Sequence, residues 1–242
     1  MRLHPPENDF AVPSGRPAIK EDSTATDLIH WALDRFSHQR IVITTQFGME
    51  GCALIDIAAR HGRPLTIVYL DTMFLFPETY ALRDRLAERH PHLTFVNQGT
   101  DMTPEQQADQ HGPELWKRDP GLCCRIRKVL PMERVLHEGD VWMTSIRRSQ
   151  SASRAHVRVL EWDWQFQVLK FSPLAGWSRE DVWSYISEND VPHNPLHHQG
   201  YPSIGCTHCT SRVKGASVTD YTRAGRWNGM DKTECGLHGD GI

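Results

Sequence analysis

The sequence has no apolar run approaching the ~18 residues that a helical membrane span requires, which excludes such a span from the chain as read. Its first residues, MRLHPPENDF, lack the basic start and apolar core of a secretory signal, so a cytoplasmic location is expected. It also lacks an excess of charge of either sign: 27 Lys and Arg face 30 Asp and Glu, a formal net charge of −3. No global field pulls the chain toward nucleic acid or an anionic membrane, and neither is an expected partner. A local basic pocket for a small phosphorylated substrate stays compatible with that total. Cysteine is scarce, six in 242 residues, and reducing cytosol would not maintain a disulfide framework. Where so few cysteines cluster, metal or redox chemistry is the commoner reason. With Gly counted and Tyr set aside, the apolar fraction is about 44%, that of an ordinary globular chain.

The length allows one large domain or two small ones. Residues 1–22 hold four prolines and read as a tail or wrapping arm. A helix is expected to start near Ser23–Asp27, since Leu28, Ile29, Ala32, Leu33 and Phe36 recur at helical spacing. RIVITTQFG (40–48), LTIVYLD (65–71), LTFVN (93–97) and VWMTSI (141–146) read as buried strands. Between them, Glu50–Arg60 reads as a helix, Pro77 is placed to open another, and 124–137 looks helical with a kink or break at Pro131. Ser178 and Asp181 form a helix-start signature before Val182, Trp183 and Ile186. The alternation predicts a parallel α/β sheet. Its ligand edge would be the loops leaving the strands at Thr44–Glu50, Asp71–Phe76 and Thr144–Ser151. The body is expected over 23–210, followed by a Gly-rich segment, 211–242, read as a mobile tail with one reactive stretch.

Three groups of residues could carry chemistry. The first is Cys123-Cys124 with Cys206-x-x-Cys209. A C-x-x-C turn delivers two thiolates to one centre, but adjacent cysteines are hard to aim at a single tetrahedral ion. They could bind different irons of a cluster; zinc, or plain burial, remains open at this point. Arg125, Arg127 and Lys128 follow the pair and would stabilise an anionic centre, or simply form a solvated helix face. The second group is the strand exit WMTSIRRSQS (142–151) with Arg154, suited to phosphate or sulfate oxygens, or else an ordinary polar loop. The third is RAGRW (223–227) and KTECGLH (232–238). Cys235, lone in a polar tail near Arg, Lys and His, reads as a nucleophile with a lowered pKa, against an incidental surface thiol. Cys52 fits the apolar helix pattern and reads as core. His193, His197 and His198 form no persuasive metal pair and read as loop or surface residues. The loop TTQFGME (44–50) has neither a Walker A nor a G-x-G-x-x-G pattern.

Taken together, LDTMFLFPETY (70–80), CCRIRKVLP (123–131), WMTSIRRSQSASR (142–154), KFSPLAGWSREDVWSYI (170–186), YPSIGCTHCT (201–210), RAGRW and KTECGLH resemble the assimilatory adenylyl-sulfate (APS) reductases, sisters of the phosphoadenylyl-sulfate (PAPS) reductases. The resemblance implies a PP-loop fold of the adenine nucleotide α-hydrolase type. It implies a [4Fe–4S] cluster on Cys123, Cys124, Cys206 and Cys209, and Cys235 as nucleophile. Lys128, Arg147, Arg223, Arg226 and His238 would lie near the phosphosulfate, and Gly48, Leu70 and Thr72 in the segments holding the adenosine. It further implies reduction of APS to sulfite and AMP in sulfate assimilation and cysteine biosynthesis, through an S-sulfocysteine discharged by thioredoxin, in a homodimer or homotetramer. The pattern departs from the family's at Gln46, Ser145, Ser149 and His208. The rival readings are PAPS reduction, a PP-loop ATP pyrophosphatase with a zinc site, whose loop should read close to S-G-G-x-D-S, and a non-enzymatic iron–sulfur sensor that binds a nucleotide.

Overall fold

The structure, a computed structural model, describes residues 20, 22–220 and 223–238. The arm expected over 1–22 therefore lies, save for Lys20 and Asp22, outside the described residues.

Six strands form one sheet: β1 (Ile41–Thr45), β2 (Leu65–Tyr69), β3 (Leu93–Asn97), β4 (Val141–Met143), β5 (Leu160–Asp163) and β6 (Val168–Phe171). Their order is β3-β2-β1-β4-β6-β5, every pairing parallel except β5 with β6. The β5–β6 hairpin was not read from the sequence; its turn is built by Asp163, whose carboxylate accepts the Gln165 and Phe166 N–H groups. The chain runs outward from β1 to β3, then returns to place β4 on the other side of β1. That reversal opens a crevice beyond the carboxyl ends of β1 and β4, where ligands bind in such sheets.

Alternation along the strands covers both faces, as a parallel sheet requires. Ile43, Ile67 and Met143 face a core built with α1 (Ala25–Arg35), α2 (Met49–Ala59), α3 (Pro77–Arg89) and, after β6, α8 (Arg179–Glu188). Val42, Val68 and Trp142 face the other way, onto Met132, Val135, Leu136 and Leu237. Short helices α4 (Pro104–His111) and α5 (Leu115–Arg118) precede that second layer. Leu237, from the Gly-rich C-terminal segment, packs into that layer, and Trp227 and Glu234 of the same segment are also buried. A bridge between Thr210 and Arg226 ties it to the C-x-x-C turn.

The expected helix at 124–137 instead starts earlier and ends earlier. Asp119 caps its start by accepting the Leu122 N–H at 2.8 Å, with Pro120 in the first turn. The run continues as α6 (Pro120–Cys124), a π turn (Arg125–Val129) and α7 (Leu130–Glu133). In the π turn Leu130 N–H reaches back to Arg125 O. The wider turn carries the helix past Pro131, which has no N–H to give and would break an ordinary α-helix.

Every residue of α2 is buried, including two carboxylates. Asp56 joins three helices: Arg60 holds it at 2.9 Å, Arg89 at 3.2 Å and the Tyr185 hydroxyl at 2.8 Å, with His90 3.3 Å away. Burial pushes its carboxyl up, but His90, Tyr185 and Arg60 outweigh that and hold it well below the usual range. A carboxylate depressed in the folded state stabilises above its unfolded pKa of ~3.9 and loses that stability as pH falls. Urea unfolding should therefore show wild-type stability falling below pH ~4, with Asp56→Asn less stable at pH 7 and flatter through the acid range. Parallel pH curves for the two proteins would remove Asp56 from that role.

Candidate active site

The crevice at the β1–β4 reversal is a cavity of about 160 Å³. Gln46, Gly48 and Glu50 from the β1 exit, Leu70 from β2, and Thr144, Ser145 and Ile146 from β4 form its strand-end wall. The opposite side comes from distant segments: Lys128, Arg154, Arg223, Arg226, Cys235 and His238. Of the candidates from the sequence, Gly48, Leu70, Lys128, Arg223, Arg226, Cys235 and His238 thus share one cavity.

Two candidates lie elsewhere. Arg147 is wholly buried behind the wall, its guanidinium bound to Glu50 at 2.8 Å, to the Ser149 hydroxyl and to Trp177 O. Burial would raise the Glu50 carboxyl, but Arg179 and Arg147 hold it at about 2. Arg147 therefore holds Glu50, which itself lines the cavity. Thr72 turns toward the cysteines instead: its hydroxyl is 3.3 Å from Cys206 Sγ and its carbonyl accepts from Arg127 at 2.9 Å.

Among the described residues, four cations line the cavity against the single carboxylate of Glu50. Lys128, 2% exposed, reaches Gln46 Oε1 at 3.4 Å. Gln46, one of the positions at which the sequence departs from the pattern it resembles, is thus a partner of Lys128. Burial lowers the Lys128 ammonium, but Cys206, Cys235 and Cys124 more than restore it, so it stays charged among sulfurs. Arg226 packs over Gly205, where an added Cβ would meet its guanidinium at 2.3 Å, and donates to Cys209 O at 3.0 Å. Arg154 and Arg223 both grip Glu234, at 2.8 and 3.2 Å. Arg154 was named from the sequence with the strand exit 142–151, whereas Glu234 was not singled out, although it stands inside a motif that carries the resemblance. Their pairing spans 80 residues and leaves no local signal.

Cys235, next to Glu234, is half-buried. Burial alone would raise its thiol, but Lys128, the Leu237 backbone N–H and Arg154 lower it below the ordinary value. Cys123 and Cys124 move the opposite way, to about 11 and about 12, by burial first; Cys52 and Cys209 also rise. His238 lies flat on Trp142, centroids 5.1 Å apart, and burial beside Arg154, Lys170 and Arg223 keeps it neutral. His197, read from the sequence as a loop or surface residue, is 2% exposed and lines the cavity. Its Nδ1 pairs with Tyr201 O at 2.8 Å, which fixes the donor there, and burial with the nearby Arg179 pushes its pKa down to about 4. Five cavity residues carry a buried polar atom with no partner: Gln46 Nε2, His197 Nε2, Arg223 Nε, Trp227 Nε1 and His238 Nδ1. Each such atom costs about 1–3 kcal/mol when left unpaired. Their concentration at one cavity marks it as built for a polar ligand.

Beside it, Cys123, Cys124, Cys206 and Cys209 line a second, small cavity with Arg127, Lys128, Phe74, Trp116 and His208. All four are buried. Gln107 approaches Cys123 Sγ at 3.9 Å and in turn accepts from Arg127 at 2.8 Å. His208 stacks on Trp116 at 3.9 Å. Among the described residues no three His, Cys, Asp or Glu side chains converge closely enough for one metal ion. No helix among them is long and apolar enough to cross a membrane.

Fold and site define a nucleotide-binding α/β protein of the PP-loop kind whose cavity carries a cysteine thiol among cations. Residues 40–212 match the phosphoadenosine phosphosulfate reductase domain, and the chain belongs to that family. It is 45% identical over 214 residues to the adenosine 5'-phosphosulfate reductase of Lysinibacillus sphaericus, covering 88% of this chain and 90% of that one. Identity to adenosine 5'-phosphosulfate reductase 1 of Bacillus subtilis is 44% over the same shares. Among solved structures, the PAPS reductase of Candida auris in a phosphate complex superimposes with a TM-score of 0.67 at 30% identity, over 79% of this chain and 91% of that one. The FMN adenylyltransferase of Candida glabrata shares the fold at 14% identity, TM-score 0.54, over 80% and 68%.

The lowered thiol has a direct readout. Iodoacetamide should modify Cys235 ahead of the other cysteines, with a rate–pH inflection below ~8.5. Lys128→Met should move that inflection upward, since it removes the leading cation. An inflection that stays put would assign the lowering to another group.

Proposed function

We propose that the chain reduces adenylyl sulfate to sulfite and AMP, the oxidoreductase step that feeds sulfate assimilation and cysteine biosynthesis. The observation that carries this reading is Cys235: a thiol of lowered pKa in a cation-lined cavity at the nucleotide edge of the sheet. The identity to adenosine 5'-phosphosulfate reductases supports APS as the substrate in preference to PAPS.

The Cys235 thiolate attacks the sulfur of the phosphosulfate. The sulfur–oxygen bond to the phosphate breaks, AMP leaves with that electron pair, and the sulfonate stays on Cys235 as S-sulfocysteine. Anion attacking anion is unfavourable in isolation, so Lys128, Arg154, Arg223 and Arg226 lower the barrier by offsetting the charge at the reacting groups. Glu234 holds Arg154 and Arg223 in place without reaching the substrate itself. Neutral His238 and His197 offer hydrogen bonds without adding charge. A thiolate of thioredoxin then attacks Cys235 Sγ and releases sulfite, and a second thiol of the same donor restores the Cys235 thiolate by disulfide exchange. A homodimer or homotetramer in the cytoplasm is the proposed setting.

The cysteine quartet fits a [4Fe–4S] cluster in its donor chemistry. Four buried thiols border one cavity, a donor set of the kind that holds iron in such clusters. When bound, the cluster would supply the iron charge that keeps these four sulfurs deprotonated. Thr72 and Gln107 would then orient Cys206 and Cys123, and Lys128 would stand between the quartet and Cys235.

Cys235→Ser should keep its nucleotide affinity but release no AMP, since a serine hydroxyl is a far weaker nucleophile at neutral pH. Wild type given APS without thioredoxin should gain one sulfonate, located on Cys235 by peptide mapping. Turnover in Cys235→Ser, or an adduct on Cys52, would overturn the assignment. Cys206→Ser should lose iron in metal analysis while Cys235→Ser keeps it; full iron in Cys206→Ser would remove that ligand from the proposal.

A further inference from the structure

His197 presents a hydrogen-bonding atom to the nucleotide cavity whose sense the fold decides in advance. It sits in the short 3₁₀ turn Pro195–Gln199, which Asn194 caps by accepting the Leu196 N–H at 3.0 Å. Asn194 also donates to the Thr79 hydroxyl of α3 at 3.1 Å, so the turn is anchored to the body. A carbonyl oxygen only accepts, so the 2.8 Å contact with Tyr201 O puts the His197 proton on Nδ1. With its pKa pushed down to about 4, chiefly by burial, the ring is neutral at pH 7, and Nε2 is a bare lone pair. That atom is buried, has no partner among the described residues and belongs to a side chain that lines the cavity.

Three other unpartnered atoms of the cavity are of the opposite kind. Gln46 Nε2, Arg223 Nε and Trp227 Nε1 can only donate. Lys128 has nothing to accept with, so the amide oxygen of Gln46 faces it and the amide nitrogen is the end left over. Such donors match phosphate and sulfate oxygens, which only accept once ionised. His197 Nε2 needs a donor instead. An adenosine phosphosulfate carries donors in two places, the ribose hydroxyls and the adenine amino group.

We propose that His197 accepts a hydrogen bond from the ribose 3′-hydroxyl, and that this contact selects a nucleotide with a free 3′-hydroxyl over one with a 3′-phosphate. It rests on the function proposed above, in which APS is used in preference to PAPS. An ionised 3′-phosphate has no proton to give, so its oxygens would face a lone pair and leave a buried acceptor unpaired. The cations of the cavity would welcome that phosphate, so refusal has to come from a group that only accepts. Hydroxyl and amide side chains on the wall can turn to donate and do not discriminate. The Glu50 carboxylate only accepts, but Arg147 and Arg179 already bind it, at 2.8 and 3.4 Å. Arg179 is not among the described residues that line the cavity, so it adds no cation there to hold a phosphate. His238 stands in the field of Arg154 and Arg223, on the cationic side, whereas the charged groups with the largest effect on His197 are Arg179 and Glu50.

Calorimetric binding to the full chain tests this with AMP, 3′-deoxy-AMP, 2′-deoxy-AMP, IMP (a carbonyl in place of the amino group) and adenosine 3′,5′-bisphosphate. Wild type should bind AMP about tenfold or more tighter than 3′-deoxy-AMP or the bisphosphate. In His197→Leu both preferences should collapse, while the ratios of AMP to 2′-deoxy-AMP and of AMP to IMP keep their wild-type values. His197→Gln, whose amide can accept or donate, should lose the bias against the bisphosphate and still prefer AMP to 3′-deoxy-AMP. Each comparison is a ratio within one protein, so an unfolded fraction cancels, and His197→Gln carries the test if His197→Leu does not fold. Wild-type preferences retained in the variants, or equal wild-type affinity for AMP and 3′-deoxy-AMP, would overturn the assignment. So would a collapse of the 2′-deoxy-AMP or IMP ratio in place of the other two, because the lone pair would then serve another donor. Wild type that shows these preferences but does not turn over APS would sink the function proposed above and leave the contact standing.

Discussion

The grip of Arg154 and Arg223 on Glu234 is the interaction on which the site depends. The C-terminal segment has little regular structure and would contribute few backbone hydrogen bonds of its own. What seats it is one carboxylate held by two guanidinium groups, followed three and four residues on by Leu237 in the apolar layer and His238 on Trp142. Burial would push Glu234 up, but Arg154 and Arg223 keep it ionised. A buried ion pair of this kind adds little net stability, because desolvation consumes most of its attraction. Its value is positional: it brings Cys235 to the nucleotide edge and, through the same contacts, sets the spacing of two of the four cavity cations.

Lys128 connects the two chemical regions. It projects from the π turn between the cysteine quartet and Cys235, borders both cavities, and is steadied by Gln46 from the opposite wall. A regular α-helix would carry Cys124 and Lys128 on one stripe and would be broken by Pro131. The π turn keeps the helix continuous past Pro131, and from it Lys128 lines the nucleotide cavity. π turns of this sort recur at functional positions because they re-aim side chains without ending a helix.

Acidic residues on α2 show the same economy of charge. Glu50 and Asp56 sit on a helix that is buried along its whole length, and each is answered by at least two cations or donors from other segments. Arg147 looks from its strand-end motif like a substrate contact, but it is taken up by Glu50. It shapes the wall of the cavity from behind. His197 moves the other way, from an apparent loop residue to a buried neutral wall of the same cavity. Both differences have one origin: a side chain's partner is chosen by what the fold brings near, and motifs do not report that.

The sequence by itself determined the elements and the inventory of reactive groups. Strand periods at 41–45, 65–69 and 93–97, the Ser178 cap and the alternation of strands with helices are local signals, carried by side-chain spacing and backbone propensity. The pairing Cys123-Cys124, the C-x-x-C turn and the lone Cys235 are likewise visible within a few residues. The β5–β6 hairpin and the short helices before the cysteine pair lacked so clear a period and emerge only from packing. Which groups lower the Cys235 thiol and which arginines reach the cavity were decided by tertiary structure alone. Burial and electrostatic fields depend on groups more than a hundred residues apart in the chain, and their distances exist only once the sheet has closed the crevice and the C-terminal segment has locked over it.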